Sequence, residues 1–411
     1  MAGNALRVLG IAKRRIPSGF TLEAEHLESD FIFLGLVGMI DPSRPDAIEA
    51  VKTAEQVGMK TIMITGDHKL TAVAIAKETG IYKEGELVLI GEELEQLSEE
   101  EFDKIVENVS VYARVSPSHK LRIVNAWKKK GHVVAMTGDG MNDAPALKRS
   151  DIGISMGITG TDVTKETSDM ILADDNFATI IKAIELGRWV YDNIKKYLTY
   201  LLQANLVEIA VLSIGFLLIL RSMGFQAEDA LPLLPVQILY INLATDGLPA
   251  LALGFSPADP DLMKKPPRPK EEPVFTREVV LFLLSALVVL TPILTLAFMD
   301  GLSNGIDVAR TRLFLIFIFV ELAVALNCRS LTFTLYRVRP HKWLLISVVW
   351  ESLLMITLLN ISGAREALHI LYPTFRDVVW VAGGVLAVFL TMESLKHFCL
   401  FNQQSANQET L

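Results

Sequence analysis

Residues 132–145 read HVVAMTGDGMNDAP, and this stretch decides the fold of the first half of the chain. Four apolar residues lead into a glycine-rich turn that contains Asp139 and Asp143. A second TGD, Thr65–Gly66–Asp67, follows another apolar run. An apolar strand that ends in such a polar turn is typical of a ligand-binding loop at the edge of a sheet.

Short apolar runs alternate with amphipathic segments from residue 31 to about 176. The runs FIFLGLVGMI, KTIMITG, VYARV, HVVAMTG, DIGISMG and DMILAD predict strands, the first of them buried. PDAIEAVKTAEQVG, HKLTAVAIAKETG and SPSHKLRIVNAWKKKG predict helices between them. This alternation indicates an α/β domain with a doubly wound parallel sheet.

Polar side chains gather where these predicted strands end, which is where such sheets bind ligands. Asp139 and Asp143 suit Mg²⁺, which proteins hold through one or two carboxylates plus a substrate phosphate. The Thr65 hydroxyl can donate to a phosphoryl oxygen, and Lys120 can supply the positive charge that phosphoryl transfer requires. Gly, Asn and Asp also dominate ordinary turns, so a single TGD would carry little weight.

The chain after residue 196 is far more apolar than the part before it, and 51% of all 411 residues are hydrophobic. Six stretches are long enough to cross a bilayer, and they predict an α-helical six-span membrane domain. They lie at about 197–220, 232–254, 279–299, 312–334, 343–361 and 378–399.

Lysine and arginine concentrate in the flank RWVYDNIKK and in two of the connecting segments. By the positive-inside rule, the soluble part and the C-terminus are expected on the cytoplasmic side of the membrane, in contact with lipid. The net charge of −8 argues against nucleic acid as a partner. Cys328 and Cys399 lack metal-ligand spacing, and we expect both to be reduced packing residues.

Several polar residues interrupt the predicted spans. Asn205 and Glu208 share one helix face, Asn242, Thr245 and Asp246 share another, and Glu321 lies in the fourth span. A charged residue there costs about 2.5–3.5 kcal/mol on insertion scales, so it marks an ion pathway by default.

These side chains form an all-oxygen set that suits a hard cation such as Ca²⁺. Gly247 and Pro249 favour an unwound segment beside Asp246 that frees backbone carbonyl groups. The alternative is that each polar residue only joins helices by hydrogen bonding. Glu351 is a further acid inside a span, and the sequence assigns it no role.

Several of these motifs together resemble those of P-type ATPases. The stretch MTGDGMNDAPALK is similar to the hinge motif of that family, and TGD at 65–67, DPSR at 41–44 and ARVSPSHK at 113–120 resemble further motifs of its phosphorylation domain. That domain has the haloacid dehalogenase-like fold. The membrane sequences LTYLLQANLVEIA and LLPVQILYINLATDGLPALALGF resemble the fifth and sixth spans of calcium pumps of the sarco/endoplasmic reticulum type.

The resemblance implies a pump in which ATP phosphorylates an aspartate and the cycle is coupled to cation transport. It implies that Thr65, Gly66 and Asp67 contact the phosphoryl group and that Lys120 compensates its charge. Asp139 and Asp143 would serve Mg²⁺, and Asn142 would orient the phosphoryl group. It also places Asp41, Arg44 and Arg114 in the nucleotide-binding set, and it implies that Asn205, Glu208, Asn242, Thr245, Asp246 and Glu321 bind Ca²⁺.

The sequence lacks the family's DKTGT, TGES and PEGL motifs. We therefore expect the C-terminal portion of a pump, with residues 1–30 as the tail of a nucleotide-binding domain, 31–185 as an incomplete phosphorylation domain and 186–411 as the membrane domain. The chain alone is expected to be inactive, with an N-terminal half supplied in cis or in trans.

Two alternatives stay open at this point, and a third is excluded. The chain can be a non-catalytic cation-binding half that assembles with a separate N-terminal half, or part of a pump for another cation. A dehalogenase-like phosphatase would need an Asp-x-Asp pair after a sheet strand. The pair Asp259 and Asp261 follows a predicted membrane span, which excludes it as such a site.

Overall fold

The computed structural model describes residues 7–16, 30–39, 42–223 and 231–409. The chain divides into two compact units, Met1–Glu185 with Met263–Glu272, and Leu186–Leu262 with Pro273–Leu411. Asp41 and the side chain of Cys399 lie outside the described residues, as does most of the tail expected at 1–30.

The first unit alternates strands and helices. Its elements are β1 (Arg7–Lys13), β2 (Ile32–Met39), α1 (Pro45–Gln56), β3 (Met63–Ile64), α2 (Lys69–Thr79), β4 (Leu87–Ile90), α3 (Gly91–Gln96), α4 (Glu99–Ile105), β5 (Val109–Ala113), α5 (Pro117–Lys129), β6 (Ala135–Gly138), α6 (Ala144–Arg149), β7 (Ile152–Met156), α7 (Asp162–Thr167) and β8 (Met170–Leu172). The strands from β3 onward pair in parallel, as the alternation predicts.

The parallel strands form two separate sheets, as expected of an incomplete phosphorylation domain whose sheet has a gap. Their orders are β3-β5-β4 and β6-β7-β8. Among the described residues, β3 pairs only with β5 and β6 only with β7, so each has one open edge. Ile64 of β3 packs against the same apolar cluster as Met136 of β6, which also contains Val124 and Leu147. The two open edges therefore share one core.

Strand β2 forms where predicted, but its predicted burial is wrong. It pairs antiparallel with β1 and stays largely exposed, with Phe33 at 66%. A continuous apolar run predicts a strand covered on both faces. Burial also needs elements to cover those faces, and the described residues place only β1 beside it.

Local sequence signals explain where helices α4 and α5 begin. Ser98 begins α4 with a capping box, in which Glu101 Oε2 accepts the Ser98 N–H at 2.9 Å. Pro117 stands in the first turn of α5, where its missing N–H costs nothing. Phe102 and Trp127 of these helices pack with Tyr112 of β5 in one core.

The second unit is helical. Its helices are α8 (Phe177–Met223, which begins before the unit boundary), α9 (Pro235–Tyr240), α10 (Gly247–Gly254), α11 (Arg277–Leu302), α12 (Ile306–Asn327), α13 (Lys342–Asn360), α14 (Ser362–Leu368) and α15 (Phe375–Glu409). Within the part of the chain that the structure describes, five segments are long and apolar enough to cross a membrane: Phe177–Ile219, Pro235–Gly254, Val279–Leu302, Lys342–Asn360 and Phe375–His397.

The predicted count of six spans is not confirmed within the described residues. The fourth stretch, expected at 312–334, is helix α12 at Ile306–Asn327. Arg310, Arg312 and Glu321 make it too polar to count with the other five. It is instead the most buried helix of the unit, with Leu313, Phe314 and Ile318 all fully buried.

The unwound segment predicted at Gly247 and Pro249 is replaced by a wider helical turn. A π-helical turn, Ile241–Thr245, joins α9 to α10, and the Asp246 N–H donates to the Ile241 carbonyl at 3.0 Å. Ala250 N–H donates to the Asp246 carbonyl at 3.0 Å, so the helix resumes at once. The irregularity therefore lies one turn earlier than expected. Turns of this π-helical type often occur at functional sites.

A buried ion cluster fixes α12 to its neighbours α11 and α15. Arg312, 2% exposed, donates from Nε to Asp377 Oδ1 at 2.6 Å and also pairs with Asp300. Arg376 pairs with the other oxygen of Asp300, but its side chain is 62% exposed. The two arginines therefore share one acid in very different surroundings.

We expect Arg312→Ala to destabilise the chain by about 3–5 kcal/mol, because it leaves the buried Asp377 carboxylate without a cationic partner. Arg376→Ala is the matched control and should cost less than about 1 kcal/mol, because an exposed pair contributes little. The measurement is the midpoint of thermal unfolding in detergent micelles, followed by circular dichroism. Equal shifts for the two variants would contradict the assigned role of Arg312.

Candidate functional site

The first TGD forms a turn that is held by hydrogen bonds between its own residues. The Asp67 N–H donates to Thr65 Oγ1 at 3.1 Å, and that hydroxyl donates to Asp67 Oδ2 at 3.0 Å. Arg114, which follows β5, donates its N–H to the Asp67 carbonyl at 3.1 Å. Thr65, Gly66, Asp67 and Arg114 therefore lie together where β3 and β5 end.

Arg114 adopts a left-handed conformation, with φ of 51°. Its carbonyl oxygen lies so close to Gly91 that a Cβ atom at that glycine would stand 2.4 Å away. Only a glycine at the start of α3 permits the Arg114 backbone to approach this closely. The arrangement holds the Arg114 side chain exposed at the edge of the sheet.

The second TGD is organised around Asp143, which is 5% exposed. Lys120 of α5 forms an ion pair with Asp143 Oδ1. Asp143 Oδ2 accepts the N–H groups of Asp139 and Gly140 at 3.3 and 3.4 Å. A Cβ atom at Gly138 would lie 2.5 Å from the Cβ of Asp143, so this position requires glycine.

Asp139 and Asn142 lie on the same turn but are exposed. No described residue forms a hydrogen bond or an ion pair with the Asp139 carboxylate. It is thus free to bind a ligand, whereas Asp143 is occupied by Lys120 and the backbone. A free carboxylate beside a carboxylate that is paired with lysine suits Mg²⁺, because water and phosphate supply most of the ligands of this ion in proteins.

A third group lies after β8. Arg44 Nη1 donates to the Asp175 carbonyl at 3.2 Å, and the Asp175 carboxylate accepts the N–H groups of Ile158 and Thr159, both at 2.9 Å. The hydrogen bond from the Ile158 N–H, with those from Thr159, lowers the pKa of Asp175 to about 2. Asp175 was not a predicted site residue, although DD in LADDN after a strand could have indicated it.

The predicted phosphoryl-transfer residues, with Asp175 added, form three groups. They are Thr65–Gly66–Asp67–Arg114, Lys120–Asp139–Asn142–Asp143, and Arg44 with Asp175. No hydrogen bond or ion pair among the described residues joins one group to another. Nor do any three Asp, Glu, His or Cys side chains of the described part come close enough together to hold a metal ion.

The second unit buries three of the predicted membrane carboxylates, Glu208, Asp246 and Glu321, at 6%, 1% and 3% exposure. The Tyr200 hydroxyl donates to Asp246 Oδ1 at 2.8 Å, and Asn242 Nδ2 donates to Glu208 Oε2 at 3.3 Å. Each acid keeps one buried oxygen without a hydrogen-bond partner, namely Glu208 Oε1, Asp246 Oδ2 and Glu321 Oε2.

Thr245 is fully buried and donates from Oγ1 to Glu351 Oε1 at 3.4 Å. Asn205 and Asn242 are exposed on the surface of the unit. Asn205 donates to the Leu201 carbonyl of its own helix at 2.8 Å, and the structure does not bring it to the three acids.

Two buried polar residues of α8 were missed from the sequence. Tyr200 contacts Asp246 directly, and Gln203 is 1% exposed with both amide atoms unpartnered. Both lie on α8, before Glu208. A tyrosine and a glutamine inside an apolar span were the available signal.

Comparison with known families matches both parts of the chain. The family model for haloacid dehalogenase-like hydrolases matches residues 11–151, and the one for the C-terminus of cation-transporting ATPases matches residues 230–398.

Three relatives show the same correspondence. A calcium-transporting ATPase of Bacillus subtilis is 43% identical over 400 residues, which cover 96% of this chain and 44% of the relative. Calcium-transporting ATPase 1 of Saccharomyces cerevisiae is 41% identical over 82% of this chain and 35% of its own length. The human calcium-transporting ATPase type 2C member 1 is 36% identical over 96% of this chain and 41% of its own length. The chain spans less than half the length of these relatives.

The Asp175 carboxylate should stabilise the first unit in a pH-dependent way. Its pKa of about 2 lies below the value near 3.9 of an unfolded aspartate, so the contribution is full above pH 4 and disappears as the pH falls through 2. We expect Asp175→Asn to lower the urea midpoint at pH 7 and the difference from wild type to shrink below pH 4. Asp139→Asn, which removes no hydrogen bond, is the control. A difference that persists unchanged at pH 2.5 would contradict this origin.

Proposed function

Since the chain corresponds to the C-terminal part of calcium-transporting P-type ATPases, with a haloacid dehalogenase-like domain followed by the cation-transporter C-terminal domain, we propose that it supplies the cation sites and most of the phosphorylation domain of an ATP-driven calcium pump. The observation that carries this proposal is the unpartnered oxygen on each of three carboxylates buried in apolar helices. A buried polar atom without a partner is costly and rare. Transported cations would satisfy these oxygens.

Helix α12 is the sixth membrane helix in this proposal. Its charged residues make its composition too polar for a typical membrane span, yet the charge of Arg312 is neutralised by Asp300 and Asp377. Surrounding helices cover most of its length, so lipid meets little of it. The lysine- and arginine-rich segments then face the cytoplasm, together with the first unit and the C-terminus.

Phosphoryl transfer is assigned to the three groups of the first unit. Asp139, with Asp143 behind it, would hold Mg²⁺, which neutralises charge on the transferred phosphoryl group. Lys120 lies beside them and offsets the same charge, while Asp143 holds its ammonium group in place. Thr65, Gly66 and Asp67 contact the phosphoryl oxygens, Asn142 orients them, and Arg44 and Arg114 contact ATP together with Asp41.

The phosphorylated aspartate and most of the ATP site are assigned to an N-terminal portion, joined in cis or supplied in trans. The open edges of β3 and β6 support this assignment. A strand between them would complete one continuous parallel sheet and end beside Lys120 and Thr65. That is where a phosphorylated side chain has to lie, because ligands bind at the carboxyl ends of such strands.

The transported ion is assigned as Ca²⁺. Glu208, Asp246 and Glu321 supply carboxylate oxygens, Thr245 a hydroxyl, and Asn205 and Asn242 amide oxygens, which together approach the six to eight oxygens that Ca²⁺ takes. The two asparagines lie on an exposed face. Further membrane helices packed on that face would bring them into the site.

The first test is phosphorylation from ATP. We expect the 411-residue chain alone to form no hydroxylamine-sensitive phosphoenzyme with Mg²⁺ and ³²P-labelled ATP, and co-expression with the N-terminal portion of a related pump to restore it. Lys120→Ala should then reduce the rate by about 10²–10³-fold, as for other groups that stabilise transition-state charge. Lys129→Ala, exposed on the same helix, is the control. Labelling of the chain alone would contradict the proposal.

The second test is the cation dependence of that phosphoenzyme. In the complemented pump, Asp246→Asn and Glu208→Gln should each raise the Ca²⁺ concentration for half-maximal phosphorylation at least about tenfold, since each removes a charged ligand. Asp307→Asn makes the same chemical change at an exposed acid of α12 and should leave it unchanged. Unaltered calcium dependence in the first two variants would rule out these acids as ligands.

A further inference from the structure

Glu351 is a buried acid that the proposed function leaves without a role. It lies near the middle of α13, and its exposure is 1%. Its neighbour Trp350 is 58% exposed, and Val349 and Leu353 are similar. Helix α13 therefore has one outward apolar face and one buried stripe, and the acid belongs to the stripe.

The buried stripe repeats at helical spacing and consists of Leu344, Ser347, Glu351, Met355 and Leu359. Ser347 donates its hydroxyl to the Leu344 carbonyl of its own helix at 2.8 Å. Glu351 differs from it, because its polar neighbours lie on other helical segments: the Tyr240 hydroxyl at the end of α9 faces the carboxylate, and Thr245 hydrogen-bonds to it. Thr245, in the π-helical turn, donates to Glu351 Oε1 at 3.4 Å.

Thr245 immediately precedes Asp246, and it was selected from the sequence as a cation ligand. A hydroxyl group has one proton to donate and two lone pairs. Since the Thr245 proton goes to Glu351, its lone pairs are turned away from that carboxylate. Donation to a carboxylate also polarises the hydroxyl oxygen, which strengthens its interaction with a hard cation. Carboxylates that orient metal ligands in this way are common behind metal sites.

Holding α13 against the π-helical turn does not require a carboxylate. A serine or glutamine could make the same contact with Thr245 at lower cost in a membrane. The presence of an acid therefore indicates a role for its charge, beside the site where a cation is proposed to bind.

We propose that Glu351 is a positioning residue of the cation site and that it acts through the hydroxyl group of Thr245. This rests on the proposed function, because it assumes that Asp246 and Thr245 bind the transported ion. The role is electrostatic as well as geometric: an amide at position 351 preserves the contact but weakens the ligand.

The test is Ca²⁺ binding to the chain co-expressed with the N-terminal portion of a related pump and reconstituted in lipid nanodiscs, measured with ⁴⁵Ca²⁺ by equilibrium dialysis. We expect Glu351→Gln to weaken binding about 3–10-fold without changing the thermal midpoint. Thr245→Val should weaken it to a similar extent, and the double variant should be little weaker than either single variant, because contacting residues that act together are not additive. Ser347→Ala, on the same buried stripe, should bind like wild type.

Two outcomes separate this inference from the proposed function. If Asp246→Asn abolishes binding while Glu351→Gln binds like wild type, the acid only joins two helices and the inference fails alone. If wild type binds no Ca²⁺, or Asp246→Asn binds normally, the proposed function fails and the inference with it.

Additive effects of Glu351→Gln and Thr245→Val would overturn the route through the hydroxyl. Should Glu351→Gln not fold, Glu351→Asp keeps the charge but shortens the side chain away from Thr245. Weaker binding by that variant supports the inference, and binding like wild type overturns it.

Discussion

The cost of a charge in an apolar environment governs the second unit. Most of its buried charges are paired. Arg312 lies between Asp300 and Asp377. The Asp259 carboxylate accepts hydrogen bonds from Lys196, Arg329 and Ser330 at 3.2, 3.0 and 2.7 Å. These clusters explain how α12 stays buried despite its charges. They also give Asp259 a structural role, which agrees with its exclusion as a phosphatase nucleophile.

Against that background, Glu208, Asp246 and Glu321 are exceptions. Their partners are a tyrosine hydroxyl and an amide rather than cationic side chains, and each retains a free oxygen. The acids of the structural clusters in the same unit have cationic partners, whereas Glu208, Asp246 and Glu321 are open to a further positive group. That contrast, within one set of helices, separates a binding role from a stabilising one better than the presence of acids alone.

Most of the strands, helices and acid positions could be predicted from the sequence, because they follow from local periodicity and turn residues. The strand runs after residue 60 and the helices between them formed where expected. Properties that depend on what packs against an element could not be predicted. Strand β2 has the composition of a buried strand but no cover, and α12 has too many charges for a span but is buried by its neighbours. Arg312 and its partners are far apart in sequence, and so are Arg44 and Asp175, so periodicity carries no information about either contact.

The two units leave different kinds of groups unsatisfied. In the first, β3 and β6 each leave an edge open, and the backbone N–H and C=O groups of such an edge can pair with another strand. The second has carboxylate oxygens, which require a cation or a donor. A strand cannot satisfy the acids, and Ca²⁺ cannot complete the sheet. Loss of phosphorylation and loss of cation binding can therefore be separated experimentally: a chain that binds Ca²⁺ without forming a phosphoenzyme is the state that this combination of open edges and open carboxylates predicts.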